Sequence, residues 1–170
     1  LLKIGLGAGA VLICHVPIDG LPLWRSAFGI WSNPSLPLMG LVCAGLGQRL
    51  FGVTLLERAD RRAAWLFGAV VGTVLHLHPF VFGGLDLYYW GWVHPVSIGS
   101  LALAAIVFLV FGSRLGVLLF AALVAYALGV LESPNCWDYV IDPIYCLAGL
   151  GVMARDAFRW GSQPRRLASH

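Results

Sequence analysis

The sequence predicts an all-α protein: a polytopic helical membrane bundle of about six transmembrane helices, N-in and C-in. Three observations carry that prediction. Of 170 residues, 59% are hydrophobic and 11% charged, where a soluble globular chain carries about 25% charged residues; too little polar surface remains to face water. The apolar residues come in long runs that do not alternate, which suits helices and not a barrel, because backbone groups in hydrocarbon must be paired internally. And of the eleven basic residues, all but Arg25 fall on one side of the pattern.

The first expected span is 2–17. The chain opens at Leu1 and not at Met, so further residues are expected before it. Lys3 and the apolar run after it read as a span and not as a cleavable leader, since no small-x-small site follows before Pro17. Segment 17–35 is apolar and aromatic with prolines at 17, 22 and 34; it reads as an interfacial anchor over the outer face.

The second span is 36–56, with Gln48-Arg49 near its inner end, snorkelling or pairing with Glu57. The run Glu57-Arg58-Ala59-Asp60-Arg61-Arg62 reads as a solvated inner loop or helix extension with local ion pairs. The third span, 64–82, carries Gly68 and Gly72 at the spacing that lets helix backbones approach closely, and Pro79, which removes a backbone donor near its outer end. The fourth, 95–113, opens on Pro95, favourable in a first turn. The fifth, 115–131, offers Ala121, Ala125 and Gly129 as a small-residue packing face, as Gly5 and Gly9 do on the first. The sixth is 136–154. Residues 1–154 thus form a single transmembrane domain and 155–170 a short basic cytoplasmic tail.

Orientation follows from the excess of Lys and Arg on cytoplasmic loops. With the N-terminus inside, Lys3, Arg49, Arg58, Arg61, Arg62, Arg114, Arg155, Arg159, Arg165 and Arg166 all fall at inner ends, loops or tail. Aromatics agree: Trp24, Trp31, Tyr88, Tyr89, Trp90, Trp92, Trp137 and Tyr139 form an outer belt, with Trp65 and Trp160 at the inner interface. The expected setting is a bacterial cytoplasmic (inner) membrane. The formal charge of +3 is no nucleic-acid signal, because the arginines sit at span ends; no nucleic-acid partner is expected.

Polar residues at membrane depth are costly, so their default reading is functional. They gather at the outer side: His15, Asp19, His76, His78, Asp86, His94, Glu132, Asp138 and Asp142. Asn135 reads as an N-cap with Asp138 in the first turn. Asp142 follows Asp138 by four residues, which would set two carboxylates on one helix face and repelling each other unless a cation intervenes. For acid/base chemistry the candidates are Asp138, Asp142 and His94; for a divalent metal they are His76, His78 and Asp142. Against a metal stands the absence of HExxH or HxxxH spacing, and interfacial histidines bonded to Asp or backbone carbonyls are the plainer reading. A b-type haem would need axial histidines on facing helices, such as His15 with His76 or His76 with His94; the lack of inner-side histidines before His170 disfavours it.

Nucleophilic motifs are incomplete. Gly99-Ser100 is half of an elbow, and Ser100 suits helix packing. Cys14 and His15 are adjacent and so point apart on a helix. Cys14, Cys43, Cys136 and Cys146 lack CxxC spacing; a Cys14–Cys136 disulfide would require both at an oxidising face, and the plainer reading is four small packing residues. Small size, incomplete motifs and several packing faces together point to a membrane-embedded subunit or assembly partner of a larger membrane complex, with lipid and membrane proteins as partners. The alternatives are an outer-face enzyme, with or without a metal, acting on a lipid-linked or envelope substrate, then a transporter, then a haem-binding redox subunit.

Overall fold

A computed structural model of the chain describes residues 15–18, 21–22, 33–81, 86–93 and 95–161, with backbone alone at 18, 21–22, 78–81, 93 and 161. Residues 2–14 of the expected first span, most of segment 17–35, the side chain of His78 and the whole of His94 lie outside the described residues. The architecture is helical. Among the described residues a minimal antiparallel pair, β1 (Pro17–Ile18) and β2 (Leu21–Pro22), precedes six α-helices. These are α1 (Leu36–Phe51), α2 (Arg58–Val81), α3 (Trp90–Val93), α4 (Pro95–Val110), α5 (Leu115–Ala127) and α6 (Pro143–Gly161), with a 3-10 turn at Cys136–Tyr139 before α6.

Local chemistry sets these limits, and it shortens several of the expected spans. Gly52 takes a left-handed φ of 73° and its N–H bonds to Gln48 O, so α1 ends at Phe51 and not at Leu56. Gly112 (φ 70°) and Gly129 (φ 61°) end α4 and α5 in the same way, since a residue with a Cβ resists that conformation. Among the described residues no helix is long and apolar enough to cross a membrane. The cause is visible in the elements. The glycine stops leave α1, α4 and α5 with 16, 16 and 13 residues, and α2 and α6 carry charged residues within their inner turns.

The charge run after α1 opens a helix and does not remain a solvated loop. Glu57 is the residue before α2, and the Asp60 side chain three residues on accepts its N–H at 3.3 Å, half of a capping box. Asp60 is buried. Its other oxygen accepts Arg114 N at 2.9 Å and the Ser113 hydroxyl at 3.1 Å, tying the start of α2 to the turn between α4 and α5. Gln48 accepts a bond from Arg61 (2.7 Å), while Glu57 pairs with Arg114 (3.8 Å); the expected Gln48-Arg49 pairing with Glu57 is replaced by these two contacts. At the other end, α4 starts at Pro95 as expected, and α2 runs on through Pro79 to Val81.

Helix α2 packs along α6, and α5 sits against α4, α1 and the 3-10 turn. Glycines make the α2–α6 contact close. A Cβ at Gly68 would stand 2.6 Å from the Tyr145 ring, one at Gly72 2.6 Å from Cys146 Cβ, and one at Gly149 2.7 Å from the Trp65 carbonyl. The expected role of Gly68 and Gly72 is therefore met within this chain, with α6 as the partner helix. The Tyr145 hydroxyl crosses the same seam to Ala64 O at 2.5 Å. On α5 the packing face differs from the expected one. Leu115, Leu119, Ala122 and Ala125 are buried, while Ala121 and Gly129 are exposed: the core takes the positions at i, i+4, i+7 and i+10 that begin at Leu115, leaving Ala121 on the far side. Gly116 brings α5 onto α4, where a Cβ would meet Leu109 N at 2.6 Å.

Candidate functional site

Polar side chains from the expected outer side meet in two places. The first is built by segment 131–139 folding over residues 87–91. The Tyr139 hydroxyl donates to Leu131 O and accepts Leu131 N, both at 3.0 Å, and the Tyr139 ring stands edge-on to Tyr126 with centroids 5.4 Å apart. Inside that loop the Ser133 hydroxyl accepts Asn135 N at 3.1 Å and donates to Asp138. Asn135, wholly buried, accepts Trp137 N at 3.0 Å and donates to Tyr88 O at 3.2 Å. The Trp137 indole donates to Leu87 O at 3.1 Å. The Tyr88 hydroxyl donates to the second Asp138 oxygen. Gly91 lies under this clasp, where a Cβ would overlap the Asn135 side-chain oxygen and the Trp137 ring.

Asn135 is thus the cap that the sequence predicts, but it caps a 3-10 turn. The sixth helix starts seven residues later than expected, at Pro143, with Asp142 as its cap: Asp142 Oδ1 accepts Tyr145 N at 2.9 Å. Asp142 Oδ2 accepts Ser35 N, also at 2.9 Å, across 107 residues of sequence, and so holds the start of α1 against the start of α6. The expectation of two carboxylates stacked on one helix face is corrected accordingly. Asp138 and Asp142 lie on different elements and share no donor. The break between them is the 3-10 turn, which ends with Val140 N bonded to Trp137 O.

His76 is half-buried on α2, and its ring stands 6.1 Å from that of Tyr88. Its Nδ1 bonds to Gly72 O at 2.7 Å. A carbonyl only accepts, so Nδ1 carries the proton of this bond. Burial pushes the Tyr88 phenol above its ordinary pKa, and the Asp138 carboxylate that accepts its proton adds to the rise, with the Asp138 and Asp86 charges behind it. The phenol is held as a hydrogen-bond donor.

His76, Tyr88 and Asp138 are therefore brought together, and Asp142 is set apart from them. Among the described residues no group of three His, Cys, Asp or Glu side chains could hold a metal ion; His78 and His94, two of the expected ligands or bases, fall outside that statement. His15 and Glu132 are exposed, and Asp86 is an exposed cap on Tyr89 N at 3.0 Å. Cys136 is a buried free thiol. Ser100 is exposed and donates to Ser97 O at 2.9 Å, within its own helix.

Three structural residues escaped the sequence reading: Ser35, Ser133 and Gly91. A Ser-Pro-Asn run is a turn signal, which could have drawn attention to Ser133, and a Ser directly before an apolar run with proline in the first turn is a helix-start signal that could have marked Ser35; nothing local marks Gly91. The site as a whole is a helical bundle clasped at one rim by a hydrogen-bonded polar network, with the Ser35 hydroxyl buried and unpartnered among the described residues. Comparison with family models, curated proteins and solved structures found no match.

Proposed function

We propose that this chain is an integral membrane protein of a bacterial cytoplasmic membrane, acting as a small helical subunit or assembly partner of a larger membrane complex, with the clasp of residues 131–139 at its outer rim. The observation that carries the reading is the distribution of apolar surface. Large hydrophobic side chains are exposed on every long helix: Val42 and Leu46 on α1, Val70 and Val74 on α2, Leu103 and Ile106 on α4, Val117 and Phe120 on α5, Leu147 and Leu150 on α6. Water-soluble monomers rarely leave apolar patches beyond a few hundred Å² uncovered. Here the exposed apolar sites recur along the helices while Asp60, Asn135 and Asp142 are buried and hydrogen-bonded within the bundle, which is the arrangement for lipid or for partner helices. Sixteen residues span about 24 Å, short of a hydrocarbon core of about 30 Å. A bilayer thins to match at a fraction of a kcal/mol per Å.

The test is extraction. The chain should stay with membranes through an alkaline carbonate wash and leave mild detergent together with a larger partner. Release by carbonate would refute the membrane assignment; a stable, functional, partner-free monomer would refute the subunit assignment.

One observation favours a second reading, an outer-face enzyme on a lipid-linked or envelope substrate: His76, Tyr88 and Asp138 are adjacent at the rim, with His76 Nε2 unused among the described residues. Asp142, as a helix cap, would then be a support and not an acid or base. A metal-free protein whose Asp138→Asn and His76→Ala variants keep full function would eliminate it.

A further inference from the structure

The arginines of the inner side do more than obey a charge asymmetry. Orientation requires basic residues on one side of the bundle, at any positions along that side. Instead, three helices deliver them to one place: Arg49 from the end of α1, Arg58, Arg61 and Arg62 from the start of α2, and Arg155 and Arg159 from the end of α6 all line a single open cleft of about 570 Å³. Among the described residues lining it, Asp156 is the one acid, which leaves a local excess of five positive charges. Asp156 is engaged by its neighbour Arg155 at 3.0 Å, and Arg61 by Gln48. Arg49, Arg58 and Arg62 have no hydrogen bond or ion pair among the described residues. Each like charge added to such a cluster destabilises it unless an anion answers it.

The lining is not wholly polar. Trp65 and Val152 stand in it beside the arginines, and an adjoining cleft that shares Arg58, Arg62, Asp156 and Arg159 adds Met153, Ala157 and Trp160. A cationic mouth with apolar side chains beside it matches an amphiphile with an anionic head. We infer that this cleft binds the phosphate headgroup of an anionic phospholipid, with the guanidinium forks on the phosphate oxygens and the acyl chains along α2 and α6. Guanidinium suits phosphate because its donors match two oxygens at once, and basic pockets between helix ends on the cytoplasmic side are a known form of lipid headgroup site. The inference rests on the membrane reading above, and the test separates the two.

The full chain is reconstituted into phosphatidylcholine vesicles alone and into vesicles containing phosphatidylglycerol. Incorporation into neutral vesicles tests the membrane reading by itself: failure to incorporate there sinks that reading, whatever the headgroup. In incorporated protein, the phosphatidylglycerol retained per chain after detergent exchange is then compared across variants. Arg58→Gln/Arg62→Gln keeps two exposed polar side chains and should weaken retention roughly 25-fold, about fivefold per arginine. Asp156→Asn should strengthen it, a change of opposite sign that misfolding would not produce. Equal retention of both lipids by wild type, or retention unchanged in both variants, overturns the cleft assignment. Displacement by inorganic phosphate at equal concentration would overturn the lipid as the source of the phosphate.

Discussion

Replacing Asp142 by alanine isolates the bond that holds two distant helix starts together. Asp142 is 4% exposed and gives one oxygen to Tyr145 N and the other to Ser35 N, both at 2.9 Å. Alanine leaves both N–H groups buried without an acceptor. Each orphaned donor costs about 1–3 kcal/mol, and the loss of the α6 cap, typically about 1 kcal/mol, is already contained in the Tyr145 bond. The expected destabilisation is about 3–4 kcal/mol, a large share of a total near 5–15 kcal/mol. Asp142→Asn keeps one acceptor oxygen and loses the charge that favours a helix N-terminus, so it should cost about 1–2 kcal/mol. The assay is reversible unfolding in mixed micelles followed by circular dichroism. An alanine variant within about 0.5 kcal/mol of wild type would refute the capping argument. An asparagine variant of native stability but without function would move Asp142 back among the chemical residues.

The glycines allow a paired comparison: Gly149→Ala pushes a Cβ onto the Trp65 carbonyl and Ala69 N, 2.7 and 2.8 Å away, and should lower stability by about 2–3 kcal/mol, whereas Gly45→Ala and Gly99→Ala meet nothing within 4 Å and should be neutral or stabilising by up to about 1 kcal/mol; equal effects in thermal unfolding would mean α2 and α6 are not in close contact. Gly91→Ala should open the 131–139 clasp, since the new methyl displaces Asn135 and Trp137, and faster proteolysis within that segment is the readout; an unchanged cleavage pattern would place the clasp elsewhere. Tyr88 carries a pH signature. Its phenol is raised in the folded state and ionises near 10 when unfolded, so its contribution is complete below pH about 10 and falls as pH rises beyond it, because the unfolded chain then releases the proton first. Tyr88→Phe should flatten part of that alkaline loss in stability, and an identical slope in the variant would mean that Tyr88 is not held by Asp138.

Much of the element layout was legible locally. Pro95 starts a helix because it needs no N–H partner there. The sequence-level split between basic and histidine-rich sides reappears as the arginine cleft at one end and the His76–Tyr88–Asp138 cluster at the other. The misplaced ends of α1, α4 and α5 have one cause. Hydropathy runs straight through Gly52, Gly112 and Gly129, while the backbone turns at each of them. The sixth helix was read from Cys136 because an Asn followed by apolar residues looks like a cap and a helix; Asp142-Pro143 is a stronger cap and first turn, and it prevailed.

By itself, then, the chain's composition and charge order determined that it is helical, which ends of the helices are basic, and which residues carry titratable groups. Tertiary structure alone decided their partners. Asp142 finds Ser35 across 107 residues, Tyr88 finds Asp138 across 50, and Asp60 finds Arg114 N across 54. Arg49 joins Arg155 and Arg159 around one cleft from helices at opposite ends of the sequence. Local spacing fixes which side of a helix a residue occupies, with a period of 3.6. Which other helix stands opposite depends on how the close glycine seams between α2, α6, α4 and α5 stack, and that is settled by packing between distant parts of the chain.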